Sequence, residues 1–194
     1  MKKIALISIL CLAPLLAQGQ SETVVMINYM PALSLGGTAE FTKNFSPRGI
    51  EIEMDRFLAE ELSLGVSLSW NVFREKVVGE SFSYNDALVT GTQFRYTNIV
   101  PMNVTAKKYF GTGDRLPFIG FGLGTSYARQ SKNFGIFSIT ENKWQFNFAP
   151  EAGIEVRVAR GMLLSLKLKY SYSVKTSDFP SMSFLGFAAG IGIL

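Results

Sequence analysis

The stretch Met162-Leu-Leu-Ser-Leu-Lys-Leu-Lys-Tyr-Ser-Tyr-Ser-Val174 decides the fold class. Met162, Leu164, Leu166, Leu168, Tyr170, Tyr172 and Val174 share one phase of a two-residue period. Ser165, Lys167, Lys169, Ser171 and Ser173 occupy the other, with Leu163 the one exception. On a helix Lys167 and Lys169 would stand about 200° apart and the leucines would scatter, whereas strand side chains alternate between two faces. The stretch reads as a strand with one apolar and one polar face.

Working outward, the same period returns along the chain. Leu62, Leu64, Val66, Leu68, Trp70 and Val72 alternate with Ser63, Gly65, Ser67, Ser69 and Asn71. Ile119, Phe121, Leu123, Thr125 and Tyr127 alternate with Gly120, Gly122, Gly124, Ser126 and Ala128. Trp144 to Arg157 and Leu185 to Ile193 behave alike. Ile50–Asp55 and Phe94–Lys107 are less regular, and Thr23–Leu33 alternates weakly, with Pro31 limiting it near its end. The total is about eight strands.

The N-terminus differs. Lys2 and Lys3 precede an apolar run from Ile4 to Leu16, and Ala17-Gln18-Gly19 supplies small residues at the −3 and −1 positions. That layout predicts a cleaved signal peptide over 1–19 and a single barrel over 20–194. The run is too short for a membrane helix, which needs about 20 residues. Cys11, the one cysteine, lies inside the run behind Leu10, which does not fit a lipoprotein signal. Without Lys2 and Lys3 the charge falls from 19 − 15 = +4 to 17 − 15 = +2, too weak and too dispersed for a nucleic-acid binder.

Alternation alone does not say which face meets lipid. The connections do: Ser34–Pro47, Arg74–Gly91 and Gln130–Lys143 are long, and Leu58–Glu61, Gly111–Leu116 and Val158–Gly161 are short. A fourth long-side loop, Thr176–Met182, is shorter. Outer-membrane barrels pair long external loops with short periplasmic turns. Threading the strands up and down brings Trp70, Phe94, Tyr96, Tyr127, Trp144, Phe146, Tyr170 and Tyr172 to one rim in the apolar phase. Phe57, Tyr109, Phe110 and Phe118 fall near the other rim. Tyr and Trp favour a membrane interface because an apolar ring carries a polar tip. The opposite phase is glycine, serine and charge, as a narrow lumen requires. The predicted fold is all-β, a closed antiparallel transmembrane β-barrel of about eight strands, with Leu64, Phe121, Ile154, Leu166 and Leu168 facing lipid.

The run Pro117-Phe-Ile-Gly-Phe-Gly-Leu-Gly-Thr-Ser-Tyr, the run Phe148-Ala-Pro-Glu-Ala-Gly-Ile-Glu-Val-Arg and the glycine-spaced last strand resemble the outer-membrane β-barrel domain of porin-family proteins. These are broad relatives of the OmpA, OmpX and OmpW barrels. Arg48-Gly-Ile-Glu-Ile-Glu and Trp70-Asn-Val-Phe are similar to Bacteroidetes members. The resemblance covers nearly all of 20–194 and implies the outer membrane of a Gram-negative cell, with both termini periplasmic. Such barrels often end in an aromatic residue, and this sequence ends Ile193-Leu194.

The chain holds no histidine. That removes Ser-His-Asp/Glu catalysis and the most common metal ligand. Barrel enzymes of the resembled group use histidine in the site, so the chain is not expected to be an enzyme. No catalytic, cofactor or metal residues are expected. Gly120, Gly122 and Gly124 make no phosphate loop, since no lysine follows at the required spacing; they make room for long lumen side chains. Glu51, Glu53, Asp55, Glu151 and Glu155 share the inward phase with Arg95, Lys107, Arg157, Lys167 and Lys169. Five acids against five bases predict an ion-pair network plugging the tube. Two functions stay open. One is a structural or surface-interaction barrel with a plugged lumen. The other is an OmpW-like conduit for small, hydrophobic solutes. Expected partners are outer-membrane lipid, lipopolysaccharide and an extracellular ligand met by the long loops; no nucleic acid is expected, and the barrel is expected to be a monomer.

Overall fold

The computed structural model describes residues 22–194 except 85, 86, 112, 135, 136 and 177, with backbone alone described at 80–84, 87–90 and 137. The predicted leader 1–19, with Cys11, lies outside the described residues. The elements are β1 Thr23–Tyr29, β2 Ala32–Leu35, α1 Gly36–Phe41, β3 Phe45–Ser46, β4 Gly49–Ala59, β5 Leu62–Tyr84, β6 Ala87–Tyr109, β7 Arg115–Phe134, β8 Phe137–Ala159, β9 Met162–Ser173 and β10 Met182–Ile193.

Eight strands close a ring in the order β1-β4-β5-β6-β7-β8-β9-β10, and β1 returns to β10 with Val25 opposite Ile193. Every pairing is antiparallel. Pro31 lacks an N–H and interrupts the first wall strand, as its place in the sequence suggests. The ladder survives the break: Met30 N–H donates to the Gly49 carbonyl (3.0 Å), and the Pro31 carbonyl accepts from Phe187 N–H (2.8 Å). Beyond it β2 continues along the upper half of β10, from Ala32↔Gly186 to Leu35↔Ser183.

At one end, here the turn end, β8 and β9 meet through Arg160-Gly161, where Gly161 takes φ +77°, a left-handed conformation that suits glycine. The other end, the hairpin end, differs from expectation. Arg74–Gly91 and Gln130–Lys143 are not loops but hairpin ladders, running to Tyr84↔Ala87, with a register shift between Val77 and Glu80, and to Phe134↔Phe137. Backbone ladder bonds hold strands whatever their side chains. The apolar-polar alternation fades there because both faces have left the lipid and lumen that impose it. Ser34–Pro47 likewise contains the end of β2, α1 and β3.

The phase assignment holds. Phe121, Leu166 and Leu168 are exposed on the outer wall, with Leu64 and Ile154 half-exposed on the same face. Glu53, Glu155, Lys167 and Lys169 are buried inside. Strand register aligns Ile50, Trp70, Val100, Tyr127 and Trp144 in one outward row below the hairpins. From Leu62 to Trp70 a strand tilted at about 40° climbs roughly 20 Å, close to the height of an outer-membrane apolar band. The other aromatic set is not a matching belt. Phe110 is exposed, but Tyr109 and Phe118 are buried and Phe57 packs half-buried beside them. These three turn inward and floor the lumen.

Leu166 is 60% exposed near the middle of its outward strand face. Leu166→Arg should therefore cost about 2–4 kcal/mol in reversible urea unfolding from lipid. A cysteine placed at 166 should resist a water-soluble thiol reagent in membranes; ready labelling there would reverse the two faces.

Candidate functional site

The inward face is built in layers. At the turn end Val24, Met26 and Leu163 form one apolar cluster and Tyr109, Leu116 and Phe118 another, with Phe57 packed against both. Phe57 and Tyr109 rings lie 5.1 Å apart, and Tyr109 and Phe118 rings 5.6 Å apart.

Above this floor stands the charge cluster. β4 carries Glu51, Glu53 and Asp55 inward, β8 Glu151 and Glu155, β6 Lys107, and β9 Lys167 and Lys169. The Lys167 ammonium lies 2.7 Å from Glu51, 2.5 Å from Glu53 and 3.2 Å from Glu151. Carboxylate oxygens of these three acids lie within 4.8 Å of one another, the spacing of a cation site. The cation that fills it is the lysine head. Lys169 reaches Glu51 at 2.6 Å and donates to Ser67 Oγ at 3.1 Å. Lys107 reaches Asp55 at 2.7 Å, Glu53 at 3.2 Å and Glu155 at 3.6 Å. Tyr109 O–H points at the Glu155 carboxylate, 3.3 Å from either oxygen, tying the charges to the floor.

Of the three glycines expected to make room for long lumen side chains, Gly120 does so, whereas Gly122 faces Asn103 and Gly124 lies against the backbone of Met102 and Asn103. A Cβ at Gly120 would lie 3.0 Å from both Lys107 and Glu151, and one at Gly65 would collide with Asp55. Next comes a neutral layer. Asn147 donates to Asn103 Oδ1 (2.9 Å) and accepts from Ser171 (3.0 Å) and Ser173 (3.1 Å). At the hairpin end an apolar cluster of Met30, Phe73, Ile99, Phe179, Met182 and Phe184, with Ala32, Ala128 and Ala188, closes the tube. α1 sits across it: Thr38 accepts from Ser183 N–H (2.9 Å), and Thr42 donates to Thr97 Oγ1 (3.0 Å).

No family model matches the chain, and no curated protein matches it. Solved structures do. Neisserial surface protein A superposes with a TM-score of 0.52 at 15% identity, over 88% of this chain and 94% of that one. Ail, the attachment invasion locus protein of Yersinia pestis, in complex with the heparin analogue sucrose octasulfate, gives 0.50 at 15% identity, over 89% and 99%. The fold is that of the small outer-membrane β-barrels.

In this outer-membrane barrel two predicted members of the network stand elsewhere. Arg157 lies exposed at the turn end and pairs with Glu22 at 3.4 Å. Arg95 lies near the hairpin end, where its Nε donates to Gln93 (3.2 Å) and its guanidinium stands 5.7 Å from the Phe41 ring centre. Phase fixes the face of a residue but not its depth, and beyond the rim the inward phase meets water. The buried cluster therefore sets three lysines, not five bases, against five acids.

The apolar lid was missed by sequence reasoning. Its signal was present: Phe73 continues the phase of Ser69 and Asn71, and Met182 and Phe184 continue that of Gly186. Apolar residues in the polar phase mark a lumen packed with hydrocarbon.

Lys167→Met should destabilise the barrel by about 3–5 kcal/mol, because three buried carboxylates lose the charge between them. Arg157→Met breaks an exposed pair and should change stability by less than about 1 kcal/mol. Urea titration of both variants in the same lipid checks the contrast; equal losses would mean the cluster is wet.

Proposed function

We propose that this is a non-enzymatic surface barrel of the outer membrane, held shut along its axis and acting through its hairpin end. The observation that carries the reading is the layered lumen: aromatic floor, eight-residue charge cluster, amide and hydroxyl layer, and apolar lid. Eight strands leave an interior that side chains can fill, and here they fill it at four depths.

In this reading segment 1–19 is removed on export, both termini and the tight turns are periplasmic, and the hairpins stand outside the cell. The long β5–β6 and β7–β8 ladders then form a raised sheet for contact with a ligand. Val78 and Ile139 on it are 72% and 54% exposed. Lys43, Arg95, Lys132, Lys143 and Lys175 lie at the same end. Together with the sulfated ligand in the Ail complex, they make an anionic glycan the first ligand class to test. The barrel works as a monomer, and lipopolysaccharide surrounds it.

The refolded protein should carry no steady current in a planar bilayer, and an intact charge cluster should keep it silent across physiological salt. Stable single-channel steps from the wild-type barrel would overturn the sealed reading and put the solute conduit in its place.

A further inference from the structure

The outer wall carries a second arrangement, on strands β5 to β7. The register places Arg74 opposite Tyr96 and Lys76 opposite Phe94, in the outward rows above Trp70. Arg129 stands opposite Asn98 on the same face, one row above Tyr127. All three cations are exposed. Two of them are also braced: the Arg74 guanidinium lies 5.0 Å from the Phe94 ring centre and 5.7 Å from that of Tyr96, and the Lys76 ammonium 6.0 Å from that of Phe94. Trp70 Nε1–H donates to Asn98 (3.4 Å), fixing the indole at the boundary between apolar band and polar rows.

No described acid shares this outward face above Trp70. Glu75 and Glu141 occupy the opposite phase, Glu75 accepting from Lys43 N–H (2.8 Å). Val72 lies between Trp70 and Arg74, and on β7 and β8 the face carries hydroxyls and amides, with Ser131 and Thr140 3.0 Å apart beside the Arg74 row.

Below the aromatic row the same wall is hollowed. An open groove of about 540 Å³ crosses β4 to β7, lined outward by Ile52, Leu68, Val66, Met102, Val104 and Leu123. An aromatic row normally lies at headgroup level, so the cations above it stand where headgroup phosphates lie and the groove below it lies among acyl chains. Guanidinium and ammonium groups at such a site recognise phosphate.

We propose that the β4–β7 wall is a docking surface for one phosphorylated glycolipid of the outer leaflet, with its phosphates on Arg74, Lys76 and Arg129 and an acyl chain in the groove. The inference rests on the orientation proposed above, with the hairpin end outside. Aromatic bracing distinguishes Arg74 and Lys76 from freely mobile surface lysines, since it limits the side-chain freedom that binding would otherwise remove.

The test titrates the refolded full barrel, in detergent, with purified lipopolysaccharide, with the same material stripped of phosphate, and with phosphatidylglycerol vesicles. A triple variant, Arg74→Gln with Lys76→Gln and Arg129→Gln, is compared with Lys108→Gln, Arg115→Gln and Arg160→Gln, which removes the same charge from exposed positions at the turn end. The first triple should weaken lipopolysaccharide binding at least tenfold and the second less than threefold. Dephosphorylated material should bind the wild type as poorly as intact material binds the first triple. Equal losses in the two triples, or equal affinity for phosphatidylglycerol, would reduce the effect to general charge attraction and overturn the site. Single Arg74→Gln and Arg129→Gln variants, each with a smaller loss, keep the test decisive should the triple fold poorly, and heat-modifiable gel migration reports folding. A folded, non-conducting first triple that binds like wild type would end this inference while leaving the surface-barrel reading in place.

Discussion

The rest of the structure depends on lysine heads placed between carboxylates in a tube too narrow to hydrate them. Lys167 on β9 joins acids of β4 and β8, and Lys107 on β6 joins the same two strands from the far side. Without those heads, acids gathered from two walls would repel across a poorly hydrated space. With them, four strands that are not all neighbours in the ring are braced through the lumen. The bracing fixes register, because a slip of one residue would turn Glu51, Glu53 and Asp55 to lipid and Ile50, Ile52 and Met54 inward.

The layers on either side follow from that charge cluster. Strong ion pairs need water kept out, and hydrocarbon at both ends does so: Phe57, Tyr109 and Phe118 below, Phe73, Phe179 and Phe184 above. Tyr109 belongs to both regions, its ring in the floor and its hydroxyl on Glu155. α1 belongs to the upper seal, since Thr38 and Thr42 spend their polar atoms on Ser183 and Thr97 instead of water.

Face was more legible in the sequence than depth. A period of two assigns Glu53, Lys107 and Lys167 inward with no knowledge of the ring, because lipid and lumen impose opposite polarity. The same period misplaces Arg95 and Arg157 in the cluster, because nothing in it says where the lumen stops. It is also blind where both faces are apolar. In β1, Val24 and Met26 face in while Val25 and Ile27 face out, and no polarity contrast separates them. The hairpin ladders were read as loops for a related reason: above the membrane, strand pairing continues while the pressure to alternate ends.

Consider last the seam between β1 and β10. Val25 faces Ile193 and Tyr29 faces Ala189, so the first and last strands of the ring lie side by side. Every other adjacent pair in the ring is consecutive around the wall, β1 reaching β4 through β2, α1 and β3. The wiring is thus that of a closed loop cut once, at one joint of eight. A circularly permuted chain, bridged at this joint and opened at a hairpin tip, would keep every ladder described above. Its zipper would merely finish elsewhere. Strand pairs joined by tight turns need little entropy to meet, whereas the seam must bring together residues 168 positions apart. The native cut therefore sets which pairing comes late, and with it which edge of the half-built sheet stays open longest.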